Sequence, residues 1–228
     1  MTAIISGNSL GLNLTSLATL GQRGAFGTAS AGRNGELSWV NVATGNLVLQ
    51  DRDEQLAGHG LDVQTVRTYN SLGLLRDDNA DNWSLGFYSQ QLVLSGTVNT
   101  AGSTLTRTDR DGSQAVYTYD TGRGLYVTQA GGGAYDTLRW DSANSQYVWT
   151  DGDSRSEERY AQATGRLVSV KDSNGNTLSY NYDANGNVAS VVDSSGGTNT
   201  YYDYTGSKLT QVRTISGATT ITRVRYGY

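Results

Sequence analysis

The stretch Asn174-Gly-Asn-Thr-Leu-Ser-Tyr-Asn-Tyr-Asp-Ala-Asn-Gly186 decides the fold. Within it, Leu178, Tyr180 and Tyr182 alternate with polar residues, which places the large side chains on one face of a β-strand. An Asn-Gly pair stands at each end, and Asn-Gly beside alternating residues is a strong signal for a hairpin turn. The stretch therefore predicts one strand between two tight turns.

The same pattern recurs at a fixed spacing. Gly165-Arg-Leu-Val-Ser-Val170 aligns with Gly186-Asn-Val-Ala-Ser-Val191, and Gly206-Ser-Lys-Leu-Thr-Gln-Val212 is a third copy with one inserted residue. The final valines of the three copies are two steps of 21 residues apart. A hairpin that repeats in phase needs its neighbours to bury its apolar face. We therefore predict an all-β fold, an extended antiparallel meander that forms a curved or spiralling sheet.

An earlier copy lies outside this series. Gly112-Ser-Gln-Ala-Val-Tyr-Thr-Tyr-Asp120 matches the segment from Gly175 to Asp183, with the same distance from glycine to tyrosine and a shared Tyr-x-Tyr-Asp. In the third copy we place the motif at Tyr202-Asp203, because Tyr160, Tyr182 and Tyr202 are in near register.

The chain divides into three parts by composition. Residues 1–35 are rich in Gly, Ser, Thr and Leu and predict a loosely attached lead-in. Residues 36–150 alternate as strands, beginning with a hairpin in which the turn at residues 43–46 precedes Leu47-Val-Leu49. Residues 151–228 contain the phased repeat. Helical periodicity is not found in any of the three parts.

Composition excludes several functional classes. The chain has 228 residues and a net charge of -4, so it lacks the basic surface of a nucleic-acid-binding protein. It has no cysteine for disulfides, thiol catalysis or cysteine metal sites. No stretch is long and apolar enough to span a membrane. The N-terminal residues lack the basic start and apolar run of a Sec-type signal peptide, so export would need another route or an upstream segment.

The repeat resembles a known family. Tyr180-Asn-Tyr-Asp-Ala-Asn-Gly-Asn-Val188 is similar to the YD repeat of bacterial RHS and teneurin-like proteins, and Tyr119-Asp120 is a weaker copy. Upstream, Val40-Asn-Val-Ala-Thr-Gly-Asn-Leu-Val-Leu49 and Arg67-Thr-Tyr-Asn-Ser-Leu72 are similar to the segment that precedes YD repeats in bacterial RHS proteins. The resemblance covers residues 36–228.

This resemblance implies a non-enzymatic strip of β-sheet that spirals into a shell. Its partner would be the rest of the shell, or a toxin or cargo domain in cis or in trans, and its location the bacterial surface or the exterior. The family's core motif and a following toxin are missing, so we expect a partial shell with the form of an open arc. The open strand edges predict self-association. The motif positions expected to have structural roles are Tyr119, Asp120, Gly165, Tyr180, Tyr182, Asp183, Gly186, Tyr202, Asp203 and Gly206.

Catalytic and metal sites have weak support in the sequence, and we predict no cofactor. His59 is the single histidine and lies between two glycines, a setting typical of a loop. The acidic turns that begin at Asp172 and Asp183 superficially resemble calcium loops, but Asp and Asn before Gly are explained by turn geometry. The segment 76–82 is a somewhat better calcium candidate, but we favour a solvated loop there as well.

The charged and aromatic residues support two further interpretations. Glu157 and Glu158 lie beside Arg155 and Arg159, which indicates an exposed, salt-bridged strand or loop. The alternative function is a carbohydrate-binding or adhesive module in which exposed tyrosines and tryptophans, with Trp83 and Trp149 as candidates, stack on sugar rings.

Overall fold

The computed structural model describes residues 3–5, 36–41, 45–58, 60–71, 82–85, 90–109, 114–128, 135–196 and 198–228. The strands in these ranges are β1 Ala3–Ile5, β2 Leu37–Asn41, β3 Asn46–Leu56, β4 Val63–Asn70, β5 Trp83–Leu85, β6 Gln91–Ser95, β7 Thr104–Thr108, β8 Gln114–Asp120, β9 Leu125–Val127, β10 Thr137–Asp141, β11 Gln146–Thr150, β12 Glu157–Ala161, β13 Leu167–Lys171, β14 Thr177–Tyr182, β15 Val188–Asp193, β16 Asn199–Thr205, β17 Lys208–Ser216 and β18 Thr219–Arg225.

The strands form two sheets, and the predicted all-β meander is confirmed. One sheet has five strands in the order β1 to β5, and the other has thirteen in the order β6 to β18. Within each sheet every strand pairs with its neighbours in sequence, and among the described strands only β1 and β2 run parallel. The predicted hairpin at residues 37–49 is β2 and β3. In the described part of the chain, no helix is long and apolar enough to cross a bilayer.

The boundary between the two sheets does not coincide with the boundaries of the predicted three-part division. The change of sheet lies between β5 and β6, whereas the boundary between residues 150 and 151 falls within the thirteen-stranded sheet, where β11 pairs with β12. Of residues 1–35, only Ala3–Ile5 are described, and the rest of that segment lies outside the described residues.

The repeat turns are built by aspartates. At the end of β13, Asp172 Oδ1 accepts hydrogen bonds from the backbone amides of Asn174 and Asn176, each at 2.9 Å. Gly175 follows with φ +94°, the left-handed conformation that glycine adopts at no steric cost. Asp183 bonds the amides of Asn185 and Asn187 in the same way. The predicted Asn-Gly turns are therefore confirmed, and each is a three-residue loop held by the preceding aspartate.

A bulge and a tyrosine mark each repeat. The register shifts opposite Tyr160, Tyr182 and Tyr204, where one extra residue (Val168, Ala189 or Thr210) makes a bulge in each of β13, β15 and β17. A bulge adds local right-handed twist, so a bulge in every second strand makes the sheet coil.

Tyrosine hydroxyl groups link successive hairpins. Tyr182 donates to the carbonyl oxygen of Leu167 at 2.6 Å, and Tyr204 donates to that of Val188 at 3.1 Å. Tyr228 donates to that of Leu209 at 2.9 Å, so the three acceptors lie 21 residues apart. We call these three bonds the tyrosine ladder.

The thirteen-stranded sheet buries one face from β6 to β17, whereas most residues of β18 are exposed. Strands β6 to β13 curl around their own side chains, a cluster that contains Leu92, Leu105, Tyr117, Tyr126, Leu138, Tyr147, Trp149, Tyr160 and Leu167. Strands β14 to β18 place the same face against Val63 of β4 and Leu85 of β5. Tyr180 packs against both clusters, so the core is continuous.

The tyrosine ladder gives the first testable prediction. Tyr182→Phe removes the hydroxyl that bonds the carbonyl of fully buried Leu167, and we expect it to lower the free energy of unfolding by about 1 kcal/mol. Urea denaturation measures the change. The matched control is Tyr135→Phe, since Tyr135 is 78% exposed and its variant should unfold like the parent. Equal stabilities of the two variants would mean that the ladder does not stabilise the repeat.

Candidate functional site: the closure of the curled sheet

The first edge strand of the large sheet returns to a later turn. The amide of Leu92 in β6 donates to the carbonyl oxygen of Gly165 at 2.8 Å, and Gln91 forms an antiparallel bridge with Arg166. Gly165 lies in the turn between β12 and β13 with φ +66°. An added Cβ there would overlap the carbonyl oxygen of Leu92, so this close approach requires glycine.

A buried ion pair lies behind this seam. Arg107 in β7 and Glu158 in β12 are separated by five strand positions, yet Nε of Arg107 donates to Oε2 of Glu158 at 2.9 Å and Nη2 donates to Oε1 at 3.0 Å. Gln90 adds a bond to Oε1 at 3.2 Å, and the Tyr160 hydroxyl donates to Oε2 at 2.5 Å. Each oxygen of the Glu158 carboxylate thus accepts two hydrogen bonds.

Aromatic groups extend this network across the curl. The guanidinium of Arg107 lies 4.0 Å from the ring centroid of Trp149, a cation–π contact. The Trp149 indole donates to the Tyr117 hydroxyl at 3.0 Å, and that hydroxyl donates to Asp136 at 3.2 Å. We call Gln90, Arg107, Tyr117, Trp149, Glu158 and Tyr160 the closure cluster.

The electrostatics of the closure cluster favour a fixed ion pair. Burial alone would lower the pKa of Arg107, but the neighbouring Glu158, Tyr160 and Asp109 raise it well above its usual value. Burial raises the pKa of Tyr160 well above its usual value, and Glu158 raises it further. Burial also raises the pKa of Tyr117, and the nearby charge of Asp136 raises it further. Arg107 therefore stays charged, and both tyrosines stay protonated, at physiological pH.

The same geometry leaves little room for chemistry. The side chains of Arg107 and Glu158 are 8% and 9% exposed, and each is hydrogen-bonded to the other. A general acid or base must reach a substrate within hydrogen-bonding distance. The arrangement can hold two distant strands together, and we assign it that role. It also corrects the interpretation of Glu158 as exposed: the pleat turns Glu158 inward, whereas Glu157 faces outward between Arg159 and Lys171.

A second contact joins the two sheets, and we call it the junction. Asp53 of β3 accepts bonds from Arg67 at 2.6 Å and from Tyr226 at 2.5 Å. The hydroxyls of Thr65 in β4 and Tyr202 in β16 lie 3.3 Å apart. The junction thus surrounds the apolar contact of β4 and β5 with polar links to the repeats.

Glu54 is the unusual group of the junction. Its side chain is 8% exposed, and neither carboxylate oxygen has a hydrogen-bond partner among the described residues. Arg223 of β18 approaches only to 3.8 Å, and its Nε donates instead to Thr214. Burial raises the pKa of Glu54, and Arg223 opposes this only in part.

Most predicted motif residues lie at the repeat turns and on the buried face. Asp120 and Asp183 accept backbone amide bonds in their turns, Gly186 has φ +83° and Gly206 has φ +63°. Tyr180 and Tyr182 pack in the core, and Tyr119 stacks on Tyr126 at 5.0 Å.

The third copy of the motif is shifted from its predicted position. Tyr204, rather than Tyr202, lies opposite the bulge and bonds the preceding hairpin, so Tyr204-Thr205 takes the place of Tyr182-Asp183. Asp203 lies within β16 and pairs with Arg213 at 2.8 Å. The turn after β16 is shorter than the turn after β14, since only Gly206 and Ser207 separate the paired Thr205 and Lys208, and this difference explains the shift.

The candidate stacking tryptophans have different surroundings. Trp149 is buried beneath Arg107, so it has no open face for a sugar ring. Trp83 is partly buried, with Tyr69 at 5.5 Å and Arg67 at 5.2 Å from its ring. His59 and residues 76–81 of the acidic segment lie outside the described residues.

The turns that resemble calcium loops use their carboxylates internally. Oδ1 of Asp172 bonds two amides and Oδ2 accepts from the Asn176 side chain at 2.7 Å, and these bonds lower the pKa of Asp172. Asp183 has the same partners. Among the described residues, no group of three or more His, Asp or Glu is placed to hold a metal ion.

Sequence reasoning missed Arg107, Glu54 and the pairing of Glu158. Arg107 and Glu158 each occupy an inward-facing position of their strand, where an apolar residue is expected. This departure from the alternating pattern was the available signal. An inward charge in a strand requires a partner, but the pattern does not say which one.

Comparison with known families agrees with the repeat geometry. The family described as "RHS Repeat" matches residues 163–198, the region of β13 to β15 with both aspartate-held turns. This match supports membership of the chain in the RHS/YD-repeat family. A second family, "Domain of unknown function (DUF6531)", often N-terminal in RHS proteins, matches residues 38–123. No curated protein matches the chain significantly.

The boundaries of the two matched regions do not coincide with the boundary between the two sheets. The DUF6531 match runs from β2 to β8 and so includes Arg107, while Glu158 lies outside both matches. The closure cluster therefore ties the upstream region of the chain to a strand that lies between the two matched regions.

The closure cluster gives the second prediction. Arg107→Ala leaves Glu158 buried without its cation, and we expect a loss of about 3–5 kcal/mol in the free energy of unfolding. Arg139→Ala is the control, because Arg139 is an exposed residue of β10 and its loss should cost less than about 0.5 kcal/mol. Denaturant titration compares the two, and similar losses would contradict the assigned role.

The junction gives the third prediction. Because the pKa of Glu54 is raised in the folded chain, the folded state binds more protons than the unfolded one, and stability falls as pH rises from the ordinary glutamate pKa through the raised one. Glu54→Gln should stabilise the chain by about 1 kcal/mol at neutral pH and remove this part of the pH dependence. Thermal unfolding between pH 4 and pH 8 measures both effects.

Glu157→Gln is the control for this experiment. Glu157 is ion-paired on the outer face, so its variant should not be more stable than the parent at neutral pH. Destabilisation by Glu54→Gln at neutral pH would show that the Glu54–Arg223 contact is a net stabilising ion pair.

Proposed function

We propose that this chain is a non-enzymatic structural segment of an RHS/YD-repeat shell, which scaffolds or encloses a toxin or other partner domain. The observation that supports the proposal is that the inward-facing side chains of the curled sheet contact one another and hold the sheet closed. The buried face is filled by the chain's own aromatic side chains, and the charged groups on it are paired within the sheet. Such a surface is suited to holding a fixed shape.

Export or surface display follows from the same proposal. RHS-repeat proteins are typically extracellular or surface-associated. A fold without cysteine needs no oxidation step after export, and turns closed by Asp, Asn and Gly form locally. We propose a location outside the bacterial cell or on its surface.

The carbohydrate-binding alternative has less support. It requires aromatic faces open to solvent, and Trp149 has its face covered by Arg107. Tyr202 is buried in the core that the two sheets share. We therefore keep the scaffold as the proposed function.

Limited proteolysis of the native gene product, purified by an affinity tag from the cells that make it, tests the proposal. We expect a protease-resistant core that contains residues 90–228 together with a second, non-repeat polypeptide that the core protects. Arg107→Ala should expose that polypeptide to the protease, and Arg139→Ala should not. A resistant core that protects no second polypeptide, or a protected polypeptide unaffected by Arg107→Ala, would contradict the enclosing function.

A further inference from the structure

Two hairpin turns of the repeat lie side by side at one end of the large sheet. The turn after β13 begins at Asp172, and the turn after β15 begins at Asp193, 21 residues later. Since β13 and β15 run in the same direction with β14 between them, their turns are separated by two strand spacings, about 10 Å. The segment that joins β3 to β4 lies against both.

Gly60 is in contact with the first of these turns. An added Cβ at Gly60 would overlap Nδ2 of Asn176 and would lie 2.5 Å from Oδ2 of Asp172. These two atoms are hydrogen-bonded to each other at 2.7 Å, and Oδ1 of Asp172 holds two backbone amides. Neither side chain can swing away without breaking the turn, so the absence of a side chain at Gly60 is what permits the contact.

Gly58 approaches the second turn. An added Cβ at Gly58 would overlap the carbonyl oxygen of Leu61 within the segment, and it would also lie 3.2 Å from Oδ2 of Asp193. A small cavity of about 150 Å³ lies here between Leu56 and Val63 on one side and Asp193 and Ser195 on the other. Gly58 and Gly60 thus approach two neighbouring repeat turns, one each.

The segment is braced for this contact. The Gly58 amide donates to Oδ1 of Asp62 at 3.1 Å, and Gln55 donates to Oδ2 of the same carboxylate at 2.6 Å. Asp62 thus fixes both sides of the segment before it meets the repeat. A segment fixed in its bound shape loses less conformational freedom on docking.

We propose that the segment between β3 and β4 is a docking element that recognises, through Gly58 and Gly60, two repeat turns that lie one repeat apart. Its partners are the turn Asp172-Ser-Asn-Gly-Asn176 and the turn that begins Asp193-Ser-Ser-Gly196, presented as a pair by an array with a 21-residue phase. The element sets the position of the five-stranded sheet along the repeats. The inference rests on the proposed scaffold function and names the surface by which the upstream sheet selects its site on the scaffold.

A second turn of the same sequence provides the matched control. Asp183–Asn187 has the same internal bonds as Asp172–Asn176, but an added Cβ at its Gly186 would overlap the guanidinium of Arg166 rather than the docking element. Asn176→Ala and Asn187→Ala therefore remove the same bond within their turns, and only the first touches Gly60.

A double-mutant cycle in the full chain, read by amide hydrogen exchange, tests the proposal. Gly60→Ala should raise the exchange rates of β3 and β4 on the order of tenfold while those of β6 to β13 stay unchanged. Asn176→Ala should partly restore protection in the Gly60→Ala chain, and Asn187→Ala should not. Gly227→Ala, at a glycine with no neighbour within 4 Å of an added Cβ, should behave like the parent.

Two results would overturn the docking element. One is a Gly60→Ala chain that exchanges like Gly227→Ala, and the other is equal behaviour of Asn176→Ala and Asn187→Ala in the Gly60→Ala chain. Unchanged exchange in β6 to β13 shows in the same experiment that the large sheet is folded. A positive cycle combined with no protected polypeptide in the proteolysis experiment would retain the docking element and reject the enclosing function.

Discussion

The ion pair between Arg107 and Glu158 connects strands five positions apart in one sheet, and the curl of the sheet depends on it. Two charges can be buried only if each satisfies the other, and the bidentate geometry fixes their separation and orientation. Meeting that requirement brings β6 onto the turn of Gly165 and encloses the aromatic face between them. The remaining strands then present the same face to β4 and β5, which cover it.

The repeat supplies the curvature that this pairing needs. Each of the hairpins β12–β13, β14–β15 and β16–β17 contributes one bulge, and the β14–β15 hairpin also has an aspartate-held turn and a tyrosine that bonds the hairpin before it. The bulge adds twist, the turn fixes the register, and the tyrosine spaces successive hairpins. Because the bulge recurs once per repeat, a small local twist accumulates into a coil. The family's motif residues are thus shape-determining, and Asp203 shows that a Tyr-Asp pair in the wrong phase becomes an ordinary cross-strand ion pair.

The local structure was predictable from the sequence, whereas the long-range contacts were not. Alternation at Leu178, Tyr180 and Tyr182 and the Asn-Gly pairs determine their strand and turns through neighbouring residues alone. The partner of Glu158 is 51 residues away, so its neighbours Arg155 and Arg159 suggested an exposed pair instead. The third tyrosine was misplaced by two residues because the turn that follows β16 is shorter than the turn that follows β14, and the spacing from tyrosine to glycine does not reveal this. The contacts of Gly58 and Gly60 depend on how two sheets dock, and a single glycine pattern does not specify that.

The backbone amide of Leu92 tests the central claim most directly. This amide points away from β7, toward what would be the open edge of a flat sheet, and the curl gives it the carbonyl of Gly165 as its acceptor. Residue-resolved hydrogen exchange by NMR should find it protected to the same degree as amides paired between β7 and β8. Exchange at the rate of a solvent-exposed edge amide would show that the sheet does not close on itself.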